Sequence, residues 1–522
     1  MSNGSRARWV ALGVVCAGSL MNVLDTTIVG VALPSIRLDL GFSQASLAWV
    51  VNAYMLTYGG FLLLGGRLGD LFGQRRLFAA GISVFTAASL ACGLAPGQGF
   101  LIAARAVQGL GGAVASAVAL SLVLSLCPEP AQRARAMGVF GFVAAGGGSI
   151  GVLAGGVLTS LVSWHWIFLV NVPIGVVALV LTLSKVDESR DPRGARLDIP
   201  GFVTFTAALG TLVFGLIESS PKGWGSALVE GCLIASVLLI AVFLAVERHS
   251  SAPMLDLSLF RRRAFNGASI VAFALSGSIF AMLLYLTLYL QDILGLSPLG
   301  AGVRLVTLSG GILVTSFVAG RLTTVVPVRL LMGAGLALVG LSLLLMRGLT
   351  VTSHWTHLLP ALLVGGVGVG LINPPLASTA IAVVPPRRAG MGSGINSTFR
   401  QVGIATGIAA LGSIFTSEVR THVSSGLHAA HLGGARTIAT AISSGQTHQA
   451  IAHFPPQARG IVGEVARASF VAGLNEILLV AAVLALAGAI SALLLIRSSD
   501  FVAQTEKQAD GRPGGAPEPA RA

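Results

Sequence analysis

Apolar runs of about 20 residues, the length that crosses a bilayer as a helix, recur along this chain between short breaks of charged and turn-forming residues. About fourteen can be marked, at roughly 9–33, 45–66, 77–95, 99–126, 137–162, 164–184, 200–218, 227–246, 267–290, 301–320, 330–347, 357–383, 391–415 and 470–496. The pattern predicts an all-α membrane protein with both termini on one side. Arg6 and Arg8 before the first apolar run imitate a secretory signal, but no small-x-small site follows and the run continues past Asp25 to Pro34, so it reads as the first span.

Composition agrees. Of the 522 residues 54% are hydrophobic and 10% charged, and mean hydropathy is +0.85. An average soluble domain has roughly 25% charged residues. The net charge of +13 would suggest nucleic acid in a soluble protein. Here it has another use, because lysine and arginine are retained in cytoplasmic loops. With the spans above, 23 of the 33 lysines and arginines fall on the side of the termini. Both termini are therefore expected in the cytoplasm, in a multi-pass protein of the cytoplasmic membrane, and no nucleic-acid partner is expected. The four cysteines lack CxxC or CxxxC spacing and read as packing residues. The loop 416–469 on the outside holds five of the nine histidines at irregular spacing, so a solvated, partly helical loop is expected and no metal site. The tail after Asp500, rich in Gly, Pro and charge, reads as disordered.

An internal repeat organises the spans. GGRLGDLFGQRR from Gly65 is echoed by AGRLTTVVPVRL from Ala319, with Arg321 lying 254 positions after Arg67. The same offset pairs Leu40–Ser43 with Leu294–Ser297, and Arg133, Met137 and Gly138 with Arg387, Met391 and Gly392. It spans eight predicted helices, so the copies share one orientation, as in transporters built from parallel halves. The expected division is a six-helix bundle over 1–184, a linker with two extra spans over 185–266, a second six-helix bundle over 267–496, and a tail over 497–522.

These residues resemble the major facilitator superfamily, and within it the fourteen-helix drug:proton antiporters. LDTTIVGVALP (Leu24–Pro34) is similar to that branch's first-helix motif, GRLGDLFGQRR (Gly66–Arg76) to the superfamily's loop between helices two and three, and RAVQGLGGA (Arg105–Ala113) to the fourth-helix motif. The resemblance covers nearly the whole chain to about residue 496. One position departs: in GVLAGG (Gly151–Gly156) Val152 stands where the fifth-helix antiporter motif has proline, which would remove a backbone donor and bend the helix. The glycine run from Gly146 to Gly156 still allows close helix packing.

Chemistry concentrates on a few residues. Asp25 is the one acidic residue placed well inside a span, where a charged side chain costs roughly 2.5–3.5 kcal/mol on insertion scales. A carboxyl held there can exchange a proton and be competed for by a substrate. The alternative is a structural aspartate bonded to Thr26, Thr27 or a neighbouring helix. Arg105 and Arg400, also inside spans, need carboxylate or carbonyl partners. The family pattern implies a role in proton transfer for Arg105, and each can equally be a buried anchor. In the loop, Gly66, Arg67, Asp70, Gly73, Arg75 and Arg76 form a candidate gating cluster, because an ion-pair set on one face can hold one conformer shut. Its plainer reading is a topology signal with a tight turn at Gly73. Asn52, Tyr54, Gln108, Asn396, Gln401 and Glu476, with Arg400, are candidate cavity residues.

The expected function is proton-coupled efflux of hydrophobic drug-like compounds or secreted metabolites by alternating access of the two bundles. The partners would be the substrate, protons and the bilayer, and no cofactor is expected beyond the proton gradient. A proton-linked importer, or a non-transporting membrane sensor or accessory subunit, stays open. An enzyme is not expected, since the sequence has no Walker loop, HExxH or GxSxG elbow.

Overall fold

In hydrocarbon every backbone N–H and C=O must be satisfied within the segment, so apolar runs of this length fold as helices. The computed structural model describes residues 3–42, 44–126, 130–188, 198–250, 255, 257–323, 325–382, 389–443 and 447–496, some of them without their side chains. The regular elements of this set are all helical. The expected disordered tail lies outside the described residues.

The first bundle holds α1 (Asn3–Leu40), α2 (Gln44–Phe72), α3 (Gln74–Gly93), α4 (Gln98–Leu126), α5 (Pro130–Leu161), a single turn α6 (Trp166–Leu169) and α7 (Asn171–Lys185). The α3–α4 crossing is set by glycine: a Cβ on Gly81 would stand 2.9 Å from the Gly111 carbonyl oxygen, and one on Gly111 2.9 Å from that of Gly81. The predicted span 164–184 is broken at Val170 into α6 and α7.

Between the bundles lies the hairpin α8 (Ile199–Lys222) and α9 (Ala227–His249). The Asp198 side chain accepts from the Gly201 N–H at 2.9 Å and so caps α8, while Ser226 caps α9 through the Val229 N–H.

The second bundle opens with α10 (Arg263–Leu275), which runs through a π-helical turn at Ser276–Phe280 into α11 (Ala281–Leu288) and a second π-helical turn at Tyr289–Ile293. It continues with α12 (Pro298–Leu322), α13 (Val328–Leu345), α14 (Leu359–Ala382), α15 (Ala389–Ala429), the short α16 (Ala435–Ser443) and α17 (Thr447–Ala452), and α18 (Pro456–Leu495). α12 and α13 begin 254 residues after α2 and α3. The packing repeats as well: α2 on α4, α3 on α4, α3 on α7 and α1 on α5 correspond to α12 on α14, α13 on α14, α13 on α18 and α10 on α15. Helix α15 runs past its predicted end at 415 and α18 starts before 470, so much of the expected loop 416–469 is helix.

The bundles meet along α5–α12 and α2–α15. Near the α1 terminus Arg37 interacts electrostatically with Asp292 of the second bundle. The hairpin packs on α2 and α15, covering one side of the seam. Thr206 donates to the Gly60 carbonyl at 3.2 Å, the Trp49 and Phe214 rings lie 5.7 Å apart, and the Trp224 indole N–H donates to Ser413.

Among the described residues twelve helices are long and apolar enough to cross a membrane. The predicted spans 45–66 and 137–162 fall on α2 and α5, helices of 29 and 32 residues that are not among those twelve. Both contain side chains outside the described set.

Candidate functional site

Arg105 and Gln108 stand three residues apart on α4, one face of a helix, and that face meets Asp25 of α1. All three side chains are buried, Asp25 with no exposed surface and Arg105 with 1%. The Arg105 guanidinium is hydrogen-bonded and ion-paired to Asp25 Oδ2 through Nη1, which also donates to Gln108 Oε1 at 2.7 Å. Its Nε donates to the Val50 carbonyl of α2 at 2.9 Å. Gln108 Nε2 donates to Asp25 Oδ1 and to Ser89 Oγ of α3, each at 2.8 Å, and the Cys92 thiol lies 3.6 Å from Gln108 Oε1. Four helices thus contribute to one closed network around one carboxylate. The guanidinium lies over the Tyr54 ring, 4.3 Å from its centroid, with the Phe168 ring at 5.6 Å on another side.

Thr26 and Thr27 do not serve Asp25. Their hydroxyls donate back to α1 carbonyls, Thr26 to Asn22 and Val23, Thr27 to Val23 and Leu24. The aspartate is held by α4.

A polar chain leads from this network toward the seam. Tyr54 is 3.5 Å from Asn22 Oδ1, Asn22 Nδ2 donates to Ser116 Oγ at 3.0 Å, and the Ser116 side chain interacts with the Tyr58 hydroxyl. The Tyr54 and Tyr58 rings stack at 5.7 Å. Across the seam the Tyr58 hydroxyl interacts electrostatically with Arg400 of α15, whose guanidinium is 5.9 Å from the Phe280 ring centroid. Arg400 lies between the bundles and keeps some accessible surface.

The candidate cavity set therefore divides. Tyr54 and Gln108 belong to the buried network around Asp25. Asn396, Arg400 and Gln401 share α15 at the seam, and a Cβ on Gly59 of α2 would stand 3.5 Å from the Gln401 Cβ. Asn396 Nδ2 and Gln401 Oε1 are buried without a hydrogen-bond partner. Asn52 is half-buried on α2. Glu476 is half-buried beside Asn475, which binds the Gly348 and Leu349 backbone in the α13–α14 connection, at the end of the bundle and away from the network.

At the α2–α3 turn Gly73 has φ 101°, a conformation favouring glycine, and a Cβ there would collide with the Glu188 carboxylate. Glu188 accepts from the Arg75 backbone N–H at 3.1 Å and lies 3.6 Å from Arg76 Nε, while Arg75 Nη2 donates to the Leu183 carbonyl at 2.6 Å. The turn is thereby pinned to the end of α7. Gly66 is within α2, and the Arg67, Asp70 and Val152 side chains lie outside the described residues. Sequence reading missed Glu188, Ser89, Ser116 and the Val50 carbonyl. The i, i+3 spacing of Arg105 and Gln108 was the one available signal for the first network.

Residues 15–408 match the Major Facilitator Superfamily. The chain belongs to that superfamily. It is 39% identical over 420 residues to the puromycin resistance protein of Streptomyces alboniger, covering 80% of this chain and 83% of that one. It is 39% identical over 406 residues to the cephamycin export protein of Amycolatopsis lactamdurans, covering 77% and 84%. The fold matches a bacterial homologue of the human lysosomal transporter Spinster, solved inward-facing and occupied, with a TM-score of 0.59 at 16% identity over 96% of this chain and 99% of that one. The superfamily is one of membrane transporters, not enzymes, and the two relatives carry the names of a drug resistance protein and an antibiotic export protein.

Proposed function

We propose that this protein is a proton-coupled exporter that carries drug-like or secreted hydrophobic compounds across the cytoplasmic membrane by alternating access. In this reading fourteen helices span the bilayer, α2 and α5 included, and both termini are cytoplasmic. The observation that carries it is the buried Asp25–Arg105–Gln108 network. A carboxylate and a guanidinium taken out of water are held together by mutual attraction and by hydrogen bonds to the remaining lone pairs, and removing one partner from such a pair costs about 3–5 kcal/mol. A proton arriving at Asp25 Oδ2 removes that partner. Arg105 then keeps Gln108 Oε1, the Val50 carbonyl and the Tyr54 ring, but its charge is no longer balanced.

Protonation therefore changes the energy of a joint made by α1, α2, α3 and α4. That change biases how the first bundle sits against the second, and substrate in the seam biases it the other way. The attraction between Arg37 and Asp292 favours closure of the bundles at the far face and is lost on release to the outside. The Gly73–Glu188 turn restrains α2 and α3 on the cytoplasmic face.

The relative named as a cephamycin export protein supports efflux as the direction, and resistance to puromycin in the other agrees with it. The test uses inside-out vesicles with an acid interior and a pH-sensitive dye. A panel of hydrophobic compounds is added to vesicles holding wild type or Asp25→Asn. A compound that dissipates the gradient in the wild type and not in the variant supports the reading. Equal responses in the two proteins remove Asp25 as the coupling site.

A further inference from the structure

Arg400 is the feature the coupling network leaves unexplained. A guanidinium stays charged under all physiological conditions, so a deep position demands an anion or a full set of acceptors. Arg105 has both. Arg400 has neither: no carboxylate of the described residues lies within ion-pair distance of it, and its neighbours are the Phe280 ring and the Tyr58 hydroxyl. Such a charge is tolerated where water or a ligand completes it, and Arg400 keeps accessible surface for one. One turn earlier on the same face of α15, Asn396 keeps a buried N–H2 group without a partner. A cation and two further donors, Tyr58 and Asn396, thus converge at the seam from both bundles.

Since Asp25 is already neutralised by Arg105, the seam carries a net positive charge from Arg400. The half-buried Phe280 and Tyr58 rings put aromatic surface beside it. That combination fits an amphiphile with an aromatic or apolar body and one acidic group. A guanidinium takes a carboxylate in two parallel bonds, and the hydroxyl and amide donors fill its remaining lone pairs.

We propose that this exporter binds organic anions, with the carboxylate or ionised acidic hydroxyl of the substrate held by Arg400, Tyr58 and Asn396. The proposal rests on the export reading for its direction and adds the substrate class. It also gives the polar chain Tyr58–Ser116–Asn22–Tyr54 a use, because an anion at Arg400 draws on the hydroxyl at one end of a network whose other end touches the Arg105 guanidinium. A cationic amphiphile would meet repulsion at Arg400 and find no carboxylate of the described residues paired there in exchange.

The experiment compares three probes with one skeleton, 1-pyrenebutyric acid, pyrenebutanol and pyrenebutylamine. Each is titrated into the full chain in nanodiscs of zwitterionic lipid, with energy transfer from tryptophan to pyrene as the readout and empty nanodiscs as background. The wild type is expected to bind the acid at least tenfold more tightly than the alcohol, and the amine most weakly. Arg400→Gln is expected to erase that order, and Arg400→Lys to keep it. Tyr58→Phe and Asn396→Leu, milder changes that preserve packing, are each expected to weaken the acid about three- to tenfold and leave the alcohol unchanged. Equal affinity for acid and alcohol in the wild type overturns the proposal, as does a preference that survives Arg400→Gln. Asp25→Asn is expected to keep the acid preference, so loss of proton exchange with the preference intact defeats the coupling mechanism and not the binding site.

Discussion

Removing both members of the Asp25–Arg105 pair should cost less than the two single removals added together. Arg105→Gln takes away the ion pair, the bond to the Val50 carbonyl and the contact with Tyr54, and leaves a carboxylate with no exposed surface facing a neutral amide. Asp25→Asn leaves the guanidinium, 1% exposed, without its counter-ion. Each single change should cost about 3–5 kcal/mol, the usual penalty for orphaning one member of a buried pair. The double variant buries two amides beside the Gln108 amide and Ser89, a set able to hydrogen-bond among itself, and should lose less than the sum by about 2–3 kcal/mol, near the upper end of measured couplings. Thermal unfolding in detergent, followed for the four proteins of the cycle, reads this directly. The double variant should melt above the temperature that additive losses would give and should export nothing against a gradient. Strictly additive losses would refute the argument, because they would mean that neither charge depends on the other.

Three further outcomes follow from other parts of the molecule. Gly111→Val forces a side chain into the Phe85 backbone at the α3–α4 crossing and should cost about 1–3 kcal/mol or abolish folding, while Gly13→Ala, which meets open space, should leave the melting temperature unchanged. Glu188→Gln removes a largely exposed ion pair worth under about 1 kcal/mol, so the melting temperature should hold while the transport rate shifts about two- to fivefold, measured as efflux from loaded vesicles. Asp292→Asn should increase labelling of a cysteine placed at the far end of the seam by an impermeant maleimide, and the exchange Arg37→Asp with Asp292→Arg should bring labelling back toward wild type.

Much of the fold was legible because a repeat leaves its mark in loops, where glycine and arginine are required for turns and orientation. The offset carried by Arg67 and Arg321 places the starts of α2 and α12, and of α3 and α13, in register. The break of a predicted span at Val170 and the π-helical turns at Ser276 and Tyr289 were not legible, because apolar composition fixes that a segment is helical and not how its hydrogen bonds are spaced. The same limit hid the full lengths of α15 and α18, whose ends carry polar residues that read as loop.

The site was legible where a residue type is expensive. Asp25, Arg105 and Arg400 stand out because charge in a span has to be compensated. Their partners are cheap residues: Ser89, Ser116 and a backbone carbonyl carry no signal, and only the fold brings them together. Glu188 escaped notice because an exposed acidic residue in a loop is ordinary until Gly73 is found against it. The two arginines looked alike in sequence, and the fold separates them, one bound to a carboxylate and the other partly accessible with no carboxylate of the described residues beside it.

The most direct test of the coupling claim separates movement of substrate from its drive. Wild type and Asp25→Asn are reconstituted in proteoliposomes, and the protein is given a transported compound under two conditions: exchange of label at equal concentrations without a pH gradient, and uptake driven by an imposed gradient. Asp25→Asn should keep exchange and lose accumulation, since the variant can still bind and reorient but has no carboxyl to carry the proton. Accumulation by Asp25→Asn at the wild-type level would contradict the coupling claim.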